Sequence, residues 1–252
     1  MSVILFEYPF NERVRSLMRL EYLFDRLTFF AQPGDARLHQ IAFGALFDLL
    51  DATERADMKS SVLQDLDRQR VALSALQDHP GVDTTALQDT LTQMDRVTAN
   101  LIATGKTGQT LRDNDWLVSL RGRLAVPGGG TQVDMPSFHA WQCRAVAERC
   151  ADLQKWIEPL QPLKEGISMV LGMLRESTQP EPVIGPQGAF QKMLGGKVYQ
   201  LLRVWVSDSE QIFPEISANK YMVWIRFATQ DGELRPQPVV KDVSFKMALC
   251  SL

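Results

Sequence analysis

The segment "TGKT" at residues 104–107 matches the last residues of the phosphate-binding P-loop motif. That motif has the pattern GxxxxGK[ST], in which glycines let backbone amides surround the phosphates. Asn100 stands where the first glycine is required, and the preceding residues have helical periodicity, whereas a P-loop follows a strand. The sequence therefore favours a loop that ends a helix. A nucleotide-binding or small-molecule enzyme of unknown reaction is the alternative.

Histidines and carboxylates are the other residues that could do chemistry. His39, His79 and His139 lie far apart, and none has a second ligand at a metal-binding spacing such as His-x3-His. Acidic groups such as those at 65–70 fall on polar helix faces, where they are usually solvated surface. No GxSxG elbow or recognisable cysteine nucleophile occurs. The sequence thus indicates no metal, no cofactor, no catalytic residue and a protein that is not an enzyme.

Residues 219–227, "NKYMVWIRF", have the least ordinary pattern, because alternate side chains of a strand point to opposite faces. One face is apolar: Tyr221, Val223, Ile225 and Phe227. The other mixes cations with large apolar groups: Lys220, Met222, Trp224 and Arg226. An interior face should not carry two cations, and a plain solvent face should not carry tryptophan beside methionine.

The segment 197–206 repeats this mixture. Its predicted core face carries Val198, Leu202, Val204 and Val206, and its other face carries Lys197, Tyr199, Leu201, Arg203 and Trp205. If both strands belong to one sheet and turn these faces the same way, Arg203, Trp205, Trp224 and Arg226 form one patch. Such a patch suits a peptide with apolar anchors and a carboxylate. The alternative is that the face packs under helices as interdomain core, with its cations at the edge.

Composition narrows the class of partner. The chain has 252 residues, 45% hydrophobic and 23% charged, with a formal net charge of −3. No overall basic field exists to collect nucleic acid, so nucleic-acid binding is not expected. No apolar run approaches the ~18 residues of a membrane span, and direct membrane insertion is not expected either. Three cysteines without a CxxC pair fit a reduced, cytoplasmic setting.

The periodicity of the apolar residues predicts an α+β fold. Helical spacing is found at about 11–30, 35–52, 55–77, 84–103, 110–124, 136–153 and 160–176. Period-two segments are found at 2–8, 197–206, 220–227 and 243–250, with a short extended piece at 132–135. The Pro- and Gly-rich residues 177–189 are interpreted as a linker. We therefore predict a helical bundle domain over 10–178 and an antiparallel β domain over 183–252, joined by strands from 2–8 and about 130–136.

A series of short motifs occurs in order along nearly the whole chain. It begins with "ILFEYPFNERVRSLMRLEYLFDRL" and continues with "DLLD", "ERAD", "DLDRQR", "HPGVD", "GQTLR", "RLAVPGG" and "DMPSFHAW". It closes with "PEIS" and "IRF". Each motif alone is modest, but their order and spacing resemble the Z-ring-associated protein D (ZapD) family of bacterial cytoplasmic division proteins.

This resemblance implies a function. Members of the family are homodimers that dimerise through a helical domain and bind the short C-terminal tail of the tubulin-like GTPase FtsZ. By holding two tails they cross-link and bundle FtsZ filaments and stabilise the Z-ring at midcell during septation. The resemblance thus implies a non-enzymatic adaptor located in the cytoplasm at the division site.

The resemblance also implies the tail-binding residues. The basic groups linked to tail binding fall on Arg19, Arg55, His139 and Arg226. Lys220 is a basic neighbour on the Arg226 face, and Trp224 and Arg203 belong to the aromatic–cationic pattern. Met222 and Asp115 stand where some relatives present arginine, which makes the expected groove less basic.

Overall fold

The structure, a computed structural model, describes residues 2–32, 34–55, 57–77 and 79–252, with only the backbone described for Arg55. It confirms the α+β class, with helices first and antiparallel sheets after them. The chain divides into two compact units. One, the helical unit, is Met18–Val170; the other, the β unit, combines the described residues up to Leu17 with Leu171–Leu252.

The helices agree with most of the predicted segments. They are α1 (Glu12–Ala31), α2 (Ala36–Arg55), α3 (Met58–Ser74), α4 (Thr84–Ala103), α5 (Gln109–Arg112), α6 (Asp115–Leu124), α7 (Pro136–Gln142), α8 (Val146–Ile157) and α9 (Gln161–Glu176). The single helix predicted over about 110–124 is wrong, because the chain is extended at Asn114 and forms two helices, α5 and α6. Asn11 caps α1 as predicted, since its Oδ1 accepts a hydrogen bond of 2.9 Å from the Val14 amide. Asp83 and Asn114 cap α4 and α6 in the same way. Within the described ranges, none of the helices has the length and apolar character needed to cross a membrane.

An aromatic cluster forms much of the helical unit's core. Around buried Phe43, five ring centroids lie at 5.2–6.1 Å: those of Phe47, Trp116, Phe138, Trp141 and Trp156. The indole N–H of Trp141 donates to Asp152 over 2.8 Å, which satisfies the polar end of a buried ring. These rings connect α2, α6, α7 and α8, and single-sequence periodicity did not predict the cluster.

The single helix predicted over about 136–153 is wrong, because the structure breaks it into α7 and α8. Ala145 is extended, with φ −55° and ψ 145°. The buried guanidinium of Arg149 donates to the carbonyls of Gln142 (2.8 Å), Arg144 (2.5 Å) and Gly34 (2.5 Å). The arginine thus satisfies the carbonyls of Gln142 and Arg144, which a continuous helix would have bonded internally.

The strand predicted at about 130–136 is also wrong. Amides of Asp134 and Met135 both bond to the carbonyl of Thr131, at 3.1 and 2.9 Å, which makes this segment a turn. Gly128 and Gly130 before it have φ values of +74° and +88°, in the left-handed region that glycine favours. These two glycines reverse the direction of the chain, and no extended segment forms at 130–136.

The β unit contains two antiparallel four-stranded sheets. The strands are β1 (Val3–Pro9), β2 (Glu181–Gly185), β3 (Ala189–Met193), β4 (Leu201–Ser207), β5 (Ile212–Ala218), β6 (Met222–Gln230), β7 (Pro236–Pro238) and β8 (Val243–Cys250). Sheet A has the order β1-β4-β8-β2. Sheet B has the order β3-β6-β5, with β7 also paired to β6.

The two sheets share one core. Side chains from β4 and β8 of sheet A and from β6 of sheet B are buried together. Because side chains alternate along a strand, the residues between them must point away from this core on each sheet's outer face. The outer faces of sheets A and B are therefore on opposite sides of the shared core.

The linker predicted over 177–189 is wrong, because these residues contain β2 and the start of β3. Pro182 is tolerated because β2 is an edge strand, where a missing N–H costs no ladder bond. The strand predicted from 197 begins only at Leu201, and Val198, expected in the core, is 82% exposed.

Candidate functional site

From Met222 onward, strand β6 alternates between core and surface as its sequence predicted; Tyr221, predicted on the core face, precedes the strand and is 62% exposed. Val223, Ile225 and Phe227 are buried, whereas Trp224 is 37% exposed and Arg226 is exposed. Since β6 is paired on both sides within sheet B, its backbone is fixed and the side chains on the outer face are held in place. An indole and a guanidinium therefore stand two residues apart on the same rigid surface.

Neighbouring strands leave these two side chains prominent. Trp224 is paired across β6 with Gln191 of β3 and with Ser217 of β5. Arg226 is paired with Ala189 and Glu215 in the next row. On one side of each, the neighbour is a small serine or alanine that cannot cover the larger side chain, and both Trp224 and Arg226 are exposed.

Two open grooves meet at this pair, which we call the Trp224–Arg226 ridge. The groove on the β3 side has a volume of about 770 Å³ and the one on the β5 side about 500 Å³. Besides the ridge, the first is lined by Ile184, Pro186, Ala189, Phe190, Gln191 and Ile225, and the second by Glu215, Ile216 and Ser217. The β3-side groove offers an apolar floor beside a cation, which suits a peptide with an apolar side chain near a carboxylate.

The charge at the ridge is uncompensated. Among the described residues, no carboxylate forms an ion pair with Arg226, although Glu215 is its cross-strand neighbour. Lys220 lies in the turn between β5 and β6, where its ammonium is 4.8 Å from the centre of the Tyr221 ring. Asn219 fixes this turn by accepting hydrogen bonds from the amides of residues 221 (2.8 Å) and 222 (2.9 Å).

The single patch expected from Arg203, Trp205, Trp224 and Arg226 does not form, because β4 and β6 belong to different sheets. The Nε of Arg203 donates to Glu7 of β1 over 3.0 Å, and its Nη1 donates to the carbonyl of Arg175 over 3.0 Å. Its guanidinium lies 4.8 Å from the Trp205 ring centre, and its side chain is only 18% exposed. Alternation along a strand predicts which residues share a face, but not which strands share a sheet.

Three of the residues implied by the family resemblance belong to the helical unit. Arg19 is exposed on α1, and His139 is exposed on α7. Arg55 is the last residue of α2, and its side chain lies outside the described part of the chain. Thus the structure groups Arg226, Trp224 and Lys220 in the β unit and assigns the other three residues to the helical unit.

His139 does have a second ligand-type side chain nearby, contrary to the prediction. Its Nε2 lies 3.8 Å from the Sγ of Cys143, one turn further along the chain. Two such groups fall short of the usual four-coordinate zinc site. Over the described ranges, no group of three or more His, Cys, Asp or Glu side chains could hold a metal ion.

The "TGKT" segment follows α4 rather than a strand, which agrees with the helix-ending interpretation. Lys59 binds this helix end: its ammonium donates to the carbonyls of Ile102 and Gly105, both at 3.3 Å, and to that of Thr104. A cation there is favourable because the last carbonyls of a helix are unpaired and carry partial negative charge. The segment is therefore a capped helix terminus.

The two positions where the family resemblance implied an arginine, Met222 and Asp115, have different surroundings. Met222 is half-buried at the start of β6, on the same face as the ridge, where it extends the apolar surface. Asp115 is the first residue of α6, where an acidic side chain favours the helix N-terminus. Stabilisation of the N-terminus of α6 is therefore a sufficient reason for an acidic residue at position 115.

Sequence reasoning missed the β3 side of the site. Ile184, Phe190 and Gln191 line the larger groove, but the first lies in the segment interpreted as a linker and the others follow it directly. A signal was present: "VI" at 183–184 and the alternating "FQKM" at 190–193 are short apolar patterns between turn residues. The prolines and glycines around them outweighed that signal.

Comparisons with known proteins agree with the resemblance. The sequence profile of the ZapD family, described as "Cell division protein", matches residues 18–226. A protein of Bordetella pertussis called "Cell division protein ZapD" is 67% identical over 250 residues, covering 99% of this chain and 99% of its own. Proteins with the same name from Ralstonia pickettii and a Janthinobacterium species are 48% and 46% identical, each over 99% of this chain and all of theirs. The chain therefore belongs to the ZapD family of cell division proteins.

Proposed function

We propose that this cell division protein binds the C-terminal tail of FtsZ at the Trp224–Arg226 ridge and, as a homodimer, cross-links and bundles FtsZ filaments to stabilise the Z-ring. It acts as a non-enzymatic adaptor in the cytoplasm, at midcell. The observation that carries the proposal is an exposed indole beside a guanidinium that forms no ion pair within the described part of the chain, on a strand whose alternate residues are buried.

The grooves match the chemistry of a short tail that is both acidic and apolar. Arg226 receives a tail carboxylate through charge-assisted hydrogen bonds, which contribute about 1–3 kcal/mol. An apolar tail side chain packs on Trp224, with Ile184 and Phe190 as the floor of the β3-side groove. Glu215 on the other side repels a carboxylate and so favours the β3 side for the acidic part of the tail.

Other cations contribute to the same recognition. Lys220 adds positive charge at the end of the ridge strand. Arg19, Arg55 and His139 of the helical unit are the further groups that the family resemblance links to tail binding. Because exposed cations act partly through screened attraction, each contributes less than a guanidinium beside an apolar floor.

Bundling follows from having two sites per dimer. One groove holds a flexible peptide with about micromolar affinity, since ordering the peptide opposes binding. A filament presents many tails close together, so a dimer bound to one tail meets the next at high effective concentration. Two weak contacts then give stable cross-links without any further interface.

Filament pelleting with the Arg226→Glu variant tests the proposal. We expect the folded variant to lose bundling and to bind a fluorescent tail peptide at least about tenfold more weakly. Lys246→Glu is the matched control, because Lys246 is an exposed strand cation beside a tryptophan on the outer face of sheet A. Undiminished bundling by Arg226→Glu, or equal loss in both variants, would count against the ridge.

A further inference from the structure

Helix α1 exposes two aromatic rings on the side opposite its core. Leu17, Leu20, Phe24 and Leu27 are buried, whereas Tyr22 is 64% and Phe29 is 69% exposed. These two rings are seven residues apart, which places them two turns apart on one stripe. Phe29 is held in place by an edge-to-face contact with Phe30, with ring centroids 5.1 Å apart.

Opposite charges stand between the two rings. Asp25 is exposed and Arg26 is half-buried, and both project from the same stripe as Tyr22 and Phe29. Adjacent residues on a helix do not face each other, so Asp25 and Arg26 do not pair internally. Neither takes part in an ion pair with any other residue of the described ranges.

This stripe is complementary to itself. If a second copy of α1 is placed antiparallel, with the two-fold axis between residues 25 and 26, Asp25 meets Arg26 of the other copy. The same operation brings Tyr22 to Phe29 of the other copy, because both pairs have position numbers that sum to 51. A two-fold axis repeats each contact, which gives two ion pairs between two pairs of aromatic rings.

We propose that Tyr22, Asp25, Arg26 and Phe29, which we call the α1 seam, form the centre of an isologous contact with a second copy of this chain. Charge complementarity favours this occupant, since an antiparallel second copy of α1 brings a basic group to Asp25 and an acidic group to Arg26. Four rings, each about two-thirds exposed, would bury roughly 400–600 Å² of the about 1,200 Å² that a specific interface needs. The seam is thus the centre of the interface, and the flanking residues of both copies supply the remaining contact area.

The inference rests on the homodimer of the proposed function and adds its contact residues. It makes the seam separate from the Trp224–Arg226 ridge, because neither the ridge nor its grooves include α1. Arg19, the group of α1 that the family resemblance links to tail binding, is not one of the seam residues and is unchanged in the variants below. A monomeric variant should therefore keep peptide binding and lose cross-linking.

Charge exchange tests the seam. In Arg26→Asp and in Asp25→Arg, two like-charge contacts replace two ion pairs, and we expect the dimer dissociation constant to rise about tenfold or more by sedimentation equilibrium. The double variant Asp25→Arg/Arg26→Asp restores opposite charges across the same axis and should return to within about threefold of the original. Arg68→Asp, an exposed arginine on α3, is the matched control and should leave dimerisation unchanged.

The outcomes separate the seam from the proposed function. Dimers of unchanged strength in both single variants, or a double variant no better than the singles, would overturn the seam alone. A monomeric wild-type chain would overturn both the seam and the homodimer of the proposed function. Titration of each variant with the tail peptide provides the second readout. Failure of the wild-type chain to bind the peptide would instead contradict the proposed function, whatever the state of the seam.

Discussion

The outer faces of sheets A and B each carry an arginine near a tryptophan, but the two arginines have different surroundings. On β4, Arg203 lies beside Trp205, with its guanidinium bonded to Glu7. On β6, Arg226 lies two residues from Trp224, without a carboxylate partner in the described chain, and lines two grooves. An arginine near a tryptophan on a strand is therefore available to another molecule only when no carboxylate from elsewhere in the fold neutralises it.

The largest effect is expected where Glu7 is removed. Glu7 accepts hydrogen bonds from Arg203 (3.0 Å) and from Arg175 (3.0 and 2.8 Å), and all three side chains are mostly buried. Glu7→Ala removes the carboxylate that both mostly buried guanidiniums bond and should lower the free energy of unfolding by about 2–4 kcal/mol in urea. Glu233→Ala, which removes the partner of exposed Arg235, should cost less than about 1 kcal/mol. Similar losses in both variants would mean that burial does not distinguish the two ion pairs.

The second effect separates binding from stability by replacing Arg226 and Arg203 one at a time. Arg226→Leu should weaken binding of the tail peptide about 10–100-fold and change the free energy of unfolding by less than about 0.5 kcal/mol. Arg203→Leu should instead lower the free energy of unfolding and leave peptide binding unchanged. It removes one of the two arginines that bond Glu7, and Arg203 does not line either groove. Peptide titration and urea unfolding of both variants check this, and a stability loss in Arg226→Leu would contradict it.

Much of the fold could be predicted because its signals are local. The 3.6-residue periodicity identified α1 to α4 within a few residues, and strict alternation identified the buried face of β6. The ion pair of Glu7 with Arg203 could not be predicted, because it joins residues 196 positions apart and depends on β1 pairing with β4. The edge strand β2 was missed because its proline and glycine resemble those of a linker.

A third, smaller effect is the salt dependence of peptide binding at the ridge compared with that of the stability contributed by the Glu7 cluster. Raising ionic strength from about 0.05 to 0.5 M should weaken peptide binding several-fold, because the cations at the ridge are exposed. The stability difference between wild type and Glu7→Ala should change little, since that cluster is shielded from solvent. A salt-independent peptide affinity would contradict a charge-assisted contact at Arg226.

The smallest effect concerns the Cys250 thiol at the end of β8. Burial raises the pKa of this thiol, and the nearby Glu7 carboxylate raises it further, against the opposing influence of Arg203. The thiolate fraction at pH 8 is therefore low, and Cys250 should react with a thiol reagent much more slowly than exposed Cys143. Glu7→Ala should speed labelling of Cys250 in proportion to its loss of stability, whereas Arg226→Leu should leave the rate unchanged.

The prolines at the sheet edges have a consequence for how this protein assembles. Pro182 lies in β2, Pro214 in β5, and Pro236 and Pro238 in β7. A proline offers no amide hydrogen, so these margins cannot present an unbroken row of donors to a neighbouring molecule. Open-ended stacking of one copy on the next through these sheet edges is thereby discouraged.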